Sequence, residues 1–79
     1  MSVDVLFFGA TAAVTGKRQI SVEPKSGITA NKLFDQILSD YPQLSGHRLL
    51  FSINQQYATG DEVISDGDEL AIFAAVSGG

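Results

Sequence analysis

The sequence closes on Gly78-Gly79, and a carboxylate carried on two glycines is the most reactive prospect in the chain. Glycine has no Cβ, so such a tail is slim and reaches φ/ψ values closed to other residues. The expectation is a flexible segment, Val76-Ser77-Gly78-Gly79, that threads a narrow channel and presents the Gly79 carboxylate to another protein's active site. Val76, Ser77 and Gly78 would thread the channel, and Gly79 would react. A frayed terminus is the competing reading, because disorder concentrates at chain ends. The preceding residues favour the first. Leu70-Ala71-Ile72-Phe73-Ala74-Ala75-Val76 reads as a strand, so the tail springs from a sheet with no polar linker.

Elsewhere the chemistry is sparse. The single histidine, His47, sits in the polar run Ser45-Gly46-His47-Arg48 and has no cysteine or second histidine to join it. A solvated loop histidine is expected. Asp66-Gly67-Asp68-Glu69 is rich in carboxylates but lacks the spacing of a calcium loop. Gly9 and Gly16 do not form a phosphate-binding loop. No metal site, bound cofactor or independent catalytic constellation is expected.

Composition bounds the rest. Seventy-nine residues support a single domain, 1–79, with a small core. A hydrophobic content of 44% with 18% charged residues is that of a folded globular chain. The apolar runs are too short for a membrane span, and no signal-peptide pattern opens the sequence. Absence of cysteine fits the cytosol. A net charge of −4, with five scattered basic residues, argues against nucleic acid or anionic membranes and suits a basic protein partner.

The elements that must position the tail are legible from periodicity. Val3–Phe8 and Arg18–Val22 alternate as strands. Thr11–Thr15 reads as a short helical turn, capped by Thr11 and stopped by Gly16. Ala30, Leu33, Phe34, Ile37, Leu38 and Tyr41 form one helical stripe. Thr29 is its N-cap, Ile28 and Leu33 form a hydrophobic staple, and Pro42 ends it. Leu49–Ile53 and Glu69–Val76 are further strands, with turns at Asn54-Gln55-Gln56, Thr59-Gly60-Asp61 and Asp66-Gly67-Asp68. The order ββαββ implies an α+β fold. Its single main helix covers one face of a mixed sheet and crosses over, so that the last strand lies parallel to the first.

Strand parity then predicts a second functional feature. If Val3, Val5, Phe7, Leu49, Phe51, Ile53, Leu70 and Ile72 meet the helix, then Leu6, Phe8, Leu50 and Phe73 lie on the opposite face. No second long helix is available to cover them. Either loops or a bulge hide these residues, or they form a docking face beside the tail.

Three segments carry a resemblance to a known family. Asp66-Gly67-Asp68-Glu69-Leu70-Ala71-Ile72 leading to Val76-Ser77-Gly78-Gly79 is one. Val5-Leu6-Phe7-Phe8-Gly9 and Phe51-Ser52-Ile53-Asn54-Gln55-Gln56-Tyr57 are the others. Together they resemble the MoaD-type sulfur carriers, the small subunits of molybdopterin synthase, within the ubiquitin-like MoaD/ThiS family. Ala74-Ala75 replace prolines common there, which leaves the tail without their stiffening.

The resemblance implies a β-grasp fold and a carrier mechanism. An ATP-dependent, E1-like enzyme of the MoeB type would adenylate Gly79, and a sulfur donor would convert it to a thiocarboxylate. The tail would then enter a MoaE-type large subunit, in a heterotetramer of two small and two large subunits. There it would give sulfur to cyclic pyranopterin monophosphate, forming the molybdopterin dithiolene. Three alternatives stand beside this. They are a ThiS-type carrier for thiazole synthesis, a ubiquitin-related modifier, and a β-grasp binding module with an incidental Gly-Gly end.

Overall fold

Val3, Val5 and Phe7 alternate with more polar or exposed neighbours, and β1 spans Val3–Phe8 with that alternation intact. This computed structural model describes residues 1–75, so the expectations for Val76, Ser77, Gly78 and Gly79 lie outside the described residues. A short helix, α1 (Ala10–Thr15), follows β1 directly. Gly9 at φ 57° is its N-cap, and Gly16 at φ 74° ends it in the left-handed region that glycine tolerates. Thr11 is therefore not the cap that the sequence suggested. It lies inside the helix, almost fully buried, and its hydroxyl is claimed by carbonyls of two strands.

After β2 (Gln19–Val22), the chain turns through Gly27 into α2 (Ala30–Asp40). Thr29 is the N-cap as expected, its Oγ1 accepting the Lys32 N–H at 3.4 Å. Ala30, Leu33 and Ile37 are buried, and Phe34, Leu38 and Tyr41 pack at the margin of the core. Ile28 and Leu33 both join that core, as a staple requires. Pro42 cannot continue the α-helix and instead starts a 3₁₀ turn, Pro42–Gly46. That turn, absent from the sequence expectation, drives Leu44 into the core at 0% exposure.

Next comes β3 (Leu49–Ile53), then β4 (Gln56–Tyr57), and finally β5 (Glu69–Ala74). Asn54 and Gln55 both have positive φ, at 50° and 70°, which is the geometry of a two-residue hairpin loop. Gln56, expected in the turn, is the first residue of β4. The last strand was expected to reach Val76 but ends at Ala74, where Ala75 donates its N–H to the Arg48 carbonyl at 2.8 Å.

The five strands form one mixed sheet in the order β2-β1-β5-β3-β4. β1 and β5 are parallel, and every other pairing is antiparallel. The parallel pair needs the crossover that α2 supplies. Val3, Val5, Phe7, Leu70 and Ile72 pack with Leu33, Ile37 and Leu44 in one core on the helix side. This is the α+β, ubiquitin-like β-grasp architecture.

Candidate docking face and tail root

The strand registers decide what lies opposite the helix. Phe8 pairs with Phe73, and Phe73 pairs with Leu50, so the three form one row across β1, β5 and β3. The next row runs Gln19, Leu6, Ala71, Ser52 and Tyr57 across all five strands. Directly opposed residues share a face, and alternate residues along a strand share it too. No bulge interrupts this register, so Leu6, Phe8, Leu50 and Phe73 come together on the face away from α2.

Exposure follows the same pattern. Phe8 is 51% exposed and Leu50 42%, whereas their neighbours Phe7 and Ile72 are at 2% and 0%. Leu6 and Phe73 are half-buried. Phe73 owes part of its cover to Tyr57, whose ring lies 5.8 Å away, centroid to centroid, at 57°. Tyr57 itself is 73% exposed and extends the apolar face toward β4. A depression lined by Leu6, Phe7, Phe8, Gly9, Ala12, Arg18 and Gln19 borders it where β1 meets β2 and α1. Tyr57 was not among the sequence candidates. The signal that reveals it is Asn54-Gln55 as a two-residue loop, which places Tyr57 across from Ser52.

β5 supplies the middle of this face and leads straight to the tail root. Two contacts fix its end. Ala75 is held to Arg48, and the Thr11 hydroxyl lies 2.7 Å from the Phe8 carbonyl and 2.8 Å from that of Ile72. A threonine has one hydroxyl proton, so it serves these two carbonyls alternately and ties the ends of β1 and β5 together. The expected threading residues Val76, Ser77 and Gly78, and the reacting Gly79, lie outside the described residues.

The remaining polar candidates are structural. His47 is exposed and closes the 3₁₀ turn, its N–H donating to Leu44. Glu62 accepts the N–H groups of Thr59 and Gly60, each at 2.8 Å. These bonds, that of Thr59 foremost, hold its carboxyl below the ordinary glutamate range. Among the described residues no group of three His, Cys, Asp or Glu side chains is placed to hold a metal ion. No helix among them is long and apolar enough to cross a membrane.

Comparison with known proteins agrees with this geometry. The chain is 35% identical to the molybdopterin synthase sulfur carrier subunit of Mycobacterium tuberculosis, over all of this chain and 99% of the relative. Small archaeal modifier protein 1 of Haloferax volcanii has a crystal structure that superimposes with a TM-score of 0.87 at 28% identity, covering both chains fully. A chain from the complex of subunits 1 and 2 of the molybdopterin-converting factor of Helicobacter pylori superimposes with a TM-score of 0.72, covering both chains fully. At 21% identity, that last match speaks for the fold alone. The ThiS family model matches residues 5–79, and the chain belongs to that family.

Proposed function

We propose that this chain is the sulfur-carrier subunit of a molybdopterin synthase. The observation that carries the reading is the apolar row Phe8, Phe73 and Leu50, set on the strand that leads into Gly78-Gly79, in a chain similar over its full length to a curated sulfur carrier. A large exposed apolar face on a small domain marks a protein contact. Placed beside a glycine tail, it docks the domain while the tail reaches into the partner.

The chemistry follows from the weakness of a carboxylate as an electrophile. ATP and an E1-like enzyme convert the Gly79 carboxylate to an acyl-adenylate, with pyrophosphate released. A sulfur nucleophile adds to the acyl carbon and AMP leaves, giving a thiocarboxylate. That sulfur is anionic at neutral pH and is the group the tail delivers. In the large subunit it is transferred to cyclic pyranopterin monophosphate, and water restores the carboxylate. A dithiolene takes two sulfurs, so two loaded carriers serve each product, consistent with two small and two large subunits. The carrier contributes docking through Leu6, Phe8, Leu50 and Phe73 and reach through Val76, Ser77 and Gly78, and the large subunit contributes the acid–base groups. A cytosolic setting fits these partners.

Reconstitution tests this. The chain is prepared with a Gly79 thiocarboxylate and mixed with a molybdopterin synthase large subunit and cyclic pyranopterin monophosphate. The expected result is molybdopterin in an amount set by the thiocarboxylate supplied, and none from the carboxylate form or from a chain extended by one residue after Gly79. A folded, loaded chain that yields no product with a competent large subunit overturns the reading and points to thiazole synthesis. The likeness to a small archaeal modifier protein supports protein modification as a second reading, whose signature is an isopeptide link from Gly79 to a lysine.

A further inference from the structure

An apolar row fixes where a partner sits but not which way round, and the charges at the two ends of the docking face supply the missing direction. At its foot Asp4 on β1 lies opposite Glu69 on β5, with Ser21 on the other side of Asp4. Both acidic residues share the parity of Leu6, Phe8, Ala71 and Phe73, so both belong to the exposed face. Two neighbouring carboxylates are engaged locally. Asp66 accepts the Ser2 N–H at 2.7 Å, and Asp68 accepts from Asn54 Nδ2 at 2.9 Å and from the Ser65 N–H at 2.7 Å. The Asp4 and Glu69 carboxylates accept no hydrogen bond among the described residues, although the backbone of Glu69 is pinned on both sides by Asn54.

Among the described residues, no lysine or arginine stands in the strands at that foot. Lys25 and Lys32 line a depression beside α2, and Lys17 lies over the Tyr41 ring on the helix side. Arg18 and Arg48 lie at the opposite end of the sheet, their carbonyls accepting from Phe7 and Ala75. Arg48 shares the parity of Leu50 and borders the tail root. From Glu69 to Ala75 the strand advances roughly 20 Å. A partner docked the wrong way round therefore meets the tail root roughly that far from its channel.

We propose that this polarity sets the direction of docking. The partner surface presents arginine or lysine to Asp4 and Glu69 at the foot, and carboxylates to Arg48 at the tail end. The occupant is the large subunit named above, and the inference rests on that reading. Opposed potentials steer encounter and disfavour the reversed complex, acting mainly on the association rate.

The test is the association rate with a molybdopterin synthase large subunit, measured by stopped flow at low salt. Asp4→Asn with Glu69→Gln keeps side-chain shape and is expected to slow association about ten-fold, and Asp4→Lys with Glu69→Lys about a hundred-fold. Both deficits should shrink toward unity at about 0.5 M salt. Asp35→Asn with Asp40→Asn, an equal change of net charge on α2, should alter the rate by less than about two-fold. The inference is overturned if the neutral foot variant associates like the unaltered chain, or if the α2 variant slows it equally. In those cases the carrier reading stands, provided Leu50→Glu still loses binding. An unaltered, folded chain that does not bind the large subunit sinks both.

Discussion

Leu50→Glu separates docking from folding, because Leu50 stands at the boundary between the two. It keeps 42% of its surface in water, next to Phe73 in the row, with Phe8 at 51% on the far side of Phe73. Fully burying a leucine is worth about 1.5–3 kcal/mol, so covering the exposed remainder contributes about 0.6–1.3 kcal/mol. Leu50→Ala should therefore weaken binding to the large subunit by roughly three- to ten-fold. Leu50→Glu also leaves a carboxylate in an apolar contact, which adds at least about 2 kcal/mol, for a total loss of roughly a hundred-fold or more. Folding should feel less. The part of Leu50 already covered in the free domain contributes about 0.9–1.7 kcal/mol on the same scale, so the substitution should cost about 1–2 kcal/mol, a melting shift of about 4–16 °C for a domain of this size. The control is Leu70→Ala, at 0% exposure, which should cost about 2–5 kcal/mol and lower the melting temperature further while leaving binding of the folded chain unchanged. Titration calorimetry against the large subunit and a thermal scan by circular dichroism give both quantities. A Leu50→Glu chain that is unfolded at room temperature, or that binds like the unaltered one, would refute the assignment of this face.

Three further outcomes follow from single contacts. Thr11→Val removes the buried hydroxyl between the Phe8 and Ile72 carbonyls and should cost about 1–3 kcal/mol in denaturant titration, while Thr11→Ser should retain most of it. Glu62, held below its ordinary range by backbone N–H groups, adds stability that is complete above the unfolded-state value of about 4.3 and is lost as pH falls through the lower folded value. Glu62→Gln should therefore be less stable than the unaltered chain at neutral pH, and this deficit should close as the pH falls below the ordinary glutamate range in pH-dependent melting. Gly60 has φ 113°, and a Cβ there would run into the Asn31 side chain. Gly60→Ala should lose about 1–3 kcal/mol, and adding Asn31→Ala should recover only part of it, because the backbone strain remains.

What could be read from the chain alone was what short-range periodicity encodes. Thr29, the stripe from Ala30 to Tyr41, and Pro42 define α2 within one residue at each end. Alternation in β1, β3 and β5 is enough to place Leu6, Phe8, Leu50 and Phe73 on the outer face, where the strand registers put them. The features that escaped lack a local period. The 3₁₀ turn Pro42–Gly46 has a single buried apolar residue, Leu44. β4 is two residues long, and its loop puts Gln55 at positive φ without the glycine that usually announces such a turn. Tyr57 was hidden with it. Thr11 looked like a cap because threonine is a good one, yet one of its acceptors lies 61 residues away, at Ile72. No spacing rule reaches that far.

The place of β5 has a consequence for biosynthesis. It is the last strand in sequence, yet the central one in the sheet, with β1 on one side and β3 on the other. Residues 1–68 hold the β1-β2 hairpin, both helices and the β3-β4 hairpin, with no strand to join the two hairpins. Pairing β1 with β5 also closes a loop that spans most of the described chain, which slows folding relative to a chain of local contacts. Assembly is therefore all-or-none and completes after translation has passed β5. A protein that gripped the β1-β5-β3 surface would meet it only on folded molecules, so sheet closure itself would proofread which copies are engaged.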